Sequence, residues 1–162
     1  MLRQKRRLGS GKFCDTQLKI TLISPYKLLS TLMLTQKQIE EILAKKPESR
    51  YKYFIRTVVA EEEVWGLADD EGWLLLEDDE DDTDVLAVFP NPEFAEVFRE
   101  KGGFEEFQVE PLDLAEFMEW LDDFEKEKMK VAVFPTPDFQ SAVMTPQRLK
   151  IDFQEQFDKE QE

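Results

Sequence analysis

The chain has no histidine in 162 residues, and a single cysteine, Cys14. The first absence removes the Ser-His-Asp and Cys-His nucleophile systems, HExxH zinc sites and the commonest general base. The second removes an internal disulfide framework and any cysteine-rich zinc site, and it suits a reducing cytoplasm. No apolar run approaches the roughly 18–20 residues of a membrane span, so no membrane association is expected. Positive charge is scarce beyond residue 32. Residues 1–32 hold Arg3, Lys5, Arg6, Arg7, Lys12, Lys19 and Lys27 against one acid, Asp15, a net charge of +6. The whole chain carries −15, so the other 130 residues carry −21, from 14 basic and 35 acidic side chains. A body this acidic does not bind nucleic acid by counterion release. It suits a basic protein partner, or it simply confers solubility.

What the chain does have is a phrase used twice. Residues 87–94 read AVFPNPEF and residues 132–139 read AVFPTPDF. Val88 and Phe89, like Val133 and Phe134, favour a pleated, half-buried surface. Pro90 and Pro135 then remove a ladder donor and stop each strand or confine it to an edge. In the first copy Asn91 is an N-cap, Pro92 suits the first helical position and Glu93 suits the positive end of the dipole. Strand 84–89 therefore leads into a helix that Gly102-Gly103 ends. In the second copy Phe139-Gln140-Ser141 leads to a short strand at 142–145, so Pro-x-Pro-Asp is expected to form a hairpin loop.

Residues 1–32 differ from the body in charge and patterning. They are read as a basic extension outside the fold, disordered or arising from a mis-assigned start, with Met33 as the natural one. A transit peptide is the rival reading. A secretory signal does not fit, because Lys19, Pro25 and Lys27 break the apolar patch Leu18–Leu34 and no small-residue cleavage site follows. Gly9-Ser10-Gly11-Lys12 is not a phosphate loop, since Arg6 stands where the first glycine belongs and Phe13 replaces Ser/Thr. Residues 33–158 are expected to form a single domain, and 159–162 an acidic tail.

Within the body, Thr35 and Gln38 form a capping-box pattern before a helix over 35–45. Pro47 opens a second helix, with Tyr51, Phe54, Ile55, Val58 and Val59 on one face. Residues 64–67 and 73–76 flank a hairpin turn at Asp69-Asp70-Glu71-Gly72. The acidic run 77–84 connects to strand 84–89, completing a three-strand meander. A short strand is expected at 107–109 and a helix from Asp113, with Leu114, Phe117, Met118 and Leu121 inward. The second repeat strand at 130–134 and the strand at 142–145 come next. Thr145-Pro146 opens a final helix whose loosely periodic Leu149, Ile151, Phe153 and Phe157 predict fraying at the tail. The fold class is α+β: a single compact domain with two N-terminal helices, a three-strand meander and a mixed sheet with helices packed on it. Parallel neighbours among strands 84–89, 107–109 and 130–134 would need helical crossovers.

The stretches RYKYFIRTVVAEEEVWGLADDEGWLLLEDDE (50–80), VLAVFPNPEFAEVF (85–98), LDLAEFMEWL (112–121) and VAVFPTPDF (131–139) resemble the bacterial domain-of-unknown-function family numbered 2750, over about Thr35 to Phe153. VWGL, DDEGW and the FPxP phrase carry the resemblance. It implies a small cytoplasmic bacterial protein with no established activity and no functional residues to carry over. One departure is Phe139, where the family tends to have a glycine-containing turn. More distantly, the strand–Phe–helix order followed by a strand and a proline loop is similar to the N-terminal domain of the SseB, or enhanced serine sensitivity, family. That is analogy of fold and transfers no function.

Several residues are candidates for a surface. In the acidic run, Asp78, Asp79, Asp81 and Asp82 alternate in a way that could suit a divalent cation. Asp84 stands where an EF-hand loop needs glycine, however, so a solvated, repelling turn is expected and no metal is assigned. Trp65 and Trp73 flank the hairpin and are expected on one face as cross-strand neighbours, either as core or as an aromatic binding surface. Phe139 sits in the second proline loop. The proposed interaction surface is thus Trp65, Trp73, Asp78, Asp79, Asp81, Asp82 and Phe139. No catalytic residue stands out, because with 35 acids spacing selects nothing, and no cofactor is expected. The reading that results is a non-enzymatic protein-binding or regulatory module. It would recognise a basic partner through its sheet edge or through the loops after the FPxP strands. The alternatives are an immunity or inhibitor protein covering a basic site, and a metal-dependent hydrolase using acidic ligands.

Overall fold

The computed structural model describes residues 2–8 and 34–161. In chain order the elements are β1 (Leu2–Leu8), α1 (Gln36–Leu43), α2 (Pro47–Glu61), β2 (Glu63–Asp69), β3 (Gly72–Asp78), β4 (Thr83–Val88) and α3 (Pro92–Gly102), then β5 (Gln108–Asp113), α4 (Leu114–Glu127), β6 (Lys130–Val133), β7 (Ala142–Met144) and α5 (Pro146–Glu160). This is one α+β domain. No described helix is long and apolar enough to cross a membrane. Residues 9–33, which hold most of the proposed extension and its suggested start at Met33, lie outside the described residues.

Local chemistry sets the element boundaries. Thr35 caps α1 with a reciprocal box: its hydroxyl accepts from the Gln38 amide, and its own amide donates to Gln38 Oε1. Prolines open α2, α3 and α5, where a missing N–H costs nothing. Gly103, at φ +84°, ends α3 in the left-handed conformation that a side chain would oppose. Asp69 closes the first hairpin, its carboxylate accepting from the amides of Glu71 and Gly72.

The sheet runs β5-β2-β3-β4-β6-β7, with β1 added to β3. The meander β2-β3-β4 forms as its turn signals predict, and β4 and β6 pair in parallel, Val88 opposite Val133. From Val85 through Val88 and from Val131 through Val133 every residue is buried, as it must be when both faces of central strands are covered. The strand expected at 107–109 begins at Gln108 and continues to Asp113. It pairs antiparallel with β2 rather than joining the parallel strands. As the edge of the sheet, β5 tolerates Pro111.

The helices close the core through aromatic contacts. Phe153 of α5 meets Phe54 of α2 and Phe117 of α4, with ring centroids 6.1 and 6.2 Å apart. Trp120 of α4 stands edge-on to Trp73 of β3 at 5.5 Å. Leu149 and Phe153 of α5 are buried while Ile151 is 50% exposed. That one misplaced residue blurred the periodicity of the sequence, yet the helix continues to Glu160 without fraying.

Candidate functional site

The hairpin β2–β3 is paired only at its tip, Ala68 with Trp73 and Asp69 with Gly72. Beyond that, β2 leaves β3. Trp65 instead exchanges two backbone hydrogen bonds with Phe89 at the end of β4, at 2.9 and 2.8 Å. β3 pairs with β4 further along, from Leu75 to Asp78. Trp73 pairs with both Ala68 of β2 and Leu8 of β1, and Leu75 with both Leu86 of β4 and Arg6 of β1, so β2 and β4 share one side of β3 and its outer edge lies opposite them. β1 occupies it antiparallel, Leu2 opposite Asp78, Arg3 opposite Glu77 and Leu8 opposite Trp73, with a bulge between Gln4 and Arg6. Leu2–Leu8, part of the segment read from the sequence as a basic extension, is the strand that pairs along this edge.

Charge matches at one end of this edge, where Leu2 and Arg3 stand opposite Asp78 and Glu77; further along, Arg6 and Arg7 stand opposite Leu75 and Leu74. Leu2–Leu8 contains four basic residues and no acid, whereas Glu77–Asp84 contains seven acids and no base. The acidic turn is internally organised. The Asp78 carboxylate accepts from the Glu80 amide, and the Asp81 carboxylate from the Thr83 amide. Asp82 takes the left-handed conformation at φ +53°, and its amide donates to the Asp78 carbonyl. Lys130, at the start of β6, reaches across to this turn and pairs with Asp81 at 2.5 Å and Asp78 at 3.9 Å. Among the described residues no group of three or more acidic or cysteine side chains is placed to hold a metal.

The Lys130 ammonium and the Thr83 hydrogen bond hold the Asp81 carboxyl down at about 2, below its ordinary 3.8. A depressed carboxyl contributes stability that is complete above its ordinary value and fades as the pH falls through about 2. Lys130→Gln should therefore return the Asp81 titration most of the way to 3.8, read by carboxyl-carbon NMR. An unmoved midpoint would assign the shift to the turn alone.

The second feature is the pair of proline loops at the carboxyl ends of β4 and β6. Because these strands are parallel and in register, Phe89-Pro90 and Phe134-Pro135 emerge side by side. Their aromatic rings interlock, Phe94 on Phe134 at 4.5 Å, Phe89 on Phe98 at 5.3 Å and Phe98 on Phe139 at 5.6 Å. Asn91 holds the N-cap position of α3 as predicted, but its side chain makes no cap bond and accepts from the Tyr53 hydroxyl instead, at 3.1 Å. The second phrase forms the predicted hairpin between β6 and β7. The Phe139 amide donates to the Thr136 carbonyl, and the Thr136 amide to the Gln140 carbonyl.

Beneath this second loop lies Arg50, 3% exposed. It donates to three backbone carbonyls, Lys45 at 2.5 Å, Gln140 at 3.1 Å and Phe134 at 3.4 Å, and sits 5.9 Å from the centre of the Phe134 ring. Burial pulls its pKa down, and the nearby Glu48 pushes it partly back. The sequence held one signal for it: Arg50 lies four residues before Phe54, on the buried stripe of α2. Tyr53 and Lys130 were likewise missed, since nothing local marks a long-range polar contact.

The proposed surface residues do not converge. Trp73 is buried, whereas Trp65 is only half-buried and lies opposite Pro111 and Phe89. The expectation that the two tryptophans are cross-strand neighbours is corrected by the register, which sets Trp73 opposite Ala68. The reason is the tight turn: with Asp69 opposite Gly72 and Ala68 opposite Trp73, position 65 would fall opposite Leu76, not Trp73. Asp78, Asp79, Asp81 and Asp82 belong together in the turn beside the β3 edge. Phe139 is half-buried in the second proline loop, against Phe98 and Phe104.

Phe139 also has the left-handed backbone, at φ +62°, as does Phe134 at +55°. A non-glycine residue held there costs about 1 kcal/mol or more. Substitution should invert the usual order. Phe139→Gly loses the ring but relieves the backbone, so it should be about 1 kcal/mol more stable than Phe139→Ala in urea unfolding. Equal stabilities would mean that the loop relaxes when the ring is removed.

Fold and edge together define a single α+β domain whose open strand is filled by a basic segment. The model of the family described as protein of unknown function (DUF2750) matches residues 51–153. The chain belongs to that family. No curated protein and no solved structure matches the chain.

Proposed function

We propose that this protein is a non-enzymatic binding module that receives a basic, extended segment of a partner protein along the outer edge of β3. The observation that supports this reading is the β1–β3 ladder: a segment carrying four positive charges pairs along β3, and its Leu2–Arg3 end meets the start of the 77–84 run, which carries seven negative ones. Strand addition supplies affinity through main-chain hydrogen bonds, which any sequence can make, while the acidic turn selects for lysine and arginine. Within the chain Leu2–Leu8 fills that place, so a partner strand of the same chemistry competes with it.

The test uses the full-length chain carrying Gln4→Pro and Arg6→Pro, in which the N-terminal strand loses two backbone donors. A separate peptide of residues 2–8 should bind this variant saturably, with affinity that falls as salt rises. Asp79→Lys with Glu80→Lys should weaken it further. A peptide that fails to bind, or that binds independently of salt and of these charges, removes the reading.

A further inference from the structure

The groove between α2 and α5 reverses the sign of the surface around it. It encloses about 520 Å³ and is lined by nine residues, four of them the cations Lys52, Arg56, Arg148 and Lys159. The body has only 14 cations in 130 residues, so about one would be expected among nine. Two acids also line the groove, Asp152 and Glu155, but Asp152 is already committed. It accepts from the Tyr51 hydroxyl and from Arg148, whose Nη2 lies 3.0 Å from its Oδ1. Lys52, Arg56 and Lys159 enter no salt bridge or side-chain hydrogen bond among the described residues, and all three are exposed.

Lys52 and Arg56 stand one helical turn apart on α2. Like charges at this spacing repel by a few tenths of a kcal/mol unless an anion lies between them. On α5, Arg148, Asp152, Glu155 and Lys159 fall on one face at helical spacing, so Lys159 faces the same groove as Arg148. We infer that this groove is a binding site for a compact multivalent anion bearing phosphate groups. Guanidinium forks and ammonium groups are the side chains that recognise phosphate oxygens, and the volume falls in the range of small-ligand pockets. The ligand is compact because the surrounding body, at −21, repels any long polyanion that would extend past the groove. Buried Ile55 supplies the apolar floor. This site is separate from the β3 edge and stands or falls independently of it.

The experiment titrates inorganic pyrophosphate into isotope-labelled full-length protein at constant ionic strength, read by amide and side-chain NMR. Saturable shifts should centre on Lys52, Arg56, Arg148 and Lys159. Arg56→Gln with Lys159→Gln should weaken binding at least about tenfold while leaving the thermal midpoint unchanged, since both side chains are exposed. The inference is overturned by an absence of saturable shifts, by unchanged affinity in the double variant, or by an equal response to sodium chloride.

Discussion

Arg50→Met should lower the unfolding free energy by about 3 kcal/mol. Methionine retains the unbranched apolar stem, so the loss isolates the donors. Removing them strands the carbonyls of Lys45 and Phe134, while that of Gln140 keeps the Thr136 amide. Each buried acceptor left without a partner costs about 1–3 kcal/mol. That of Lys45 is bonded in partly buried surroundings that water can enter, which keeps the total near the lower end. Urea unfolding with an unchanged slope measures the loss. Amide exchange should accelerate over residues 134–140, where the loop loses its bracket. Arg50→Lys should recover little, because one ammonium lacks the planar fork that reaches three separate oxygens. A loss below about 1 kcal/mol would mean that the aromatic rings, and not the guanidinium, hold the loop.

Gly66→Ala should cost about 2 kcal/mol, by overpacking at a buried position. The added methyl would meet Cζ3 and Cε3 of Trp73 at 2.9 and 3.1 Å, and that ring is fixed on its other side by Trp120. Gly66 has no left-handed backbone to protect, so the cost is steric and belongs to this one contact. It should therefore depend on its partner. Trp73→Leu alone should cost about 3 kcal/mol through the cavity it leaves. In that background Gly66→Ala should be nearly neutral. A double-mutant cycle by urea unfolding reads the coupling directly. Additive losses would show that the alanine is resisted by the strand itself and not by the indole.

Local chemistry was legible wherever a short stretch decides the outcome. Thr35 with Gln38, Pro92 after Asn91, Gly103 and the Asp69–Gly72 turn each set a boundary through atoms a few residues apart. The repeated phrase also read correctly, as one strand end used twice with different continuations. Partners distant along the chain were not legible. No pattern in residues 63–69 indicates that β2 stays apart from β3 until Ala68, because that depends on the Phe89 backbone. The basic segment at Leu2–Leu8 stood out by charge, but charge alone does not distinguish a solvated arm from a strand on an acidic edge. Arg50 was hidden for a related reason: a cation at the start of an apolar stripe ordinarily points to water, and here two of the three carbonyls that hold it come from a loop more than 80 residues later.

The parallel pairing of β4 with β6 has a consequence for the order in which the molecule assembles. Val88 and Val133 are 45 residues apart, and Glu63 pairs with Asp113 across 50. The meander closes through turns of a few residues, whereas these ladders must wait until α3, β5 and α4 have been gathered in. Contacts between distant parts of a chain forfeit loop entropy before they return anything, which slows folding. The two phenylalanine-proline loops can interlock only after β6 has docked, so the aromatic contact between them and the Arg50 bracket belong to the late side of the folding barrier. Weakening them should speed unfolding far more than it slows folding.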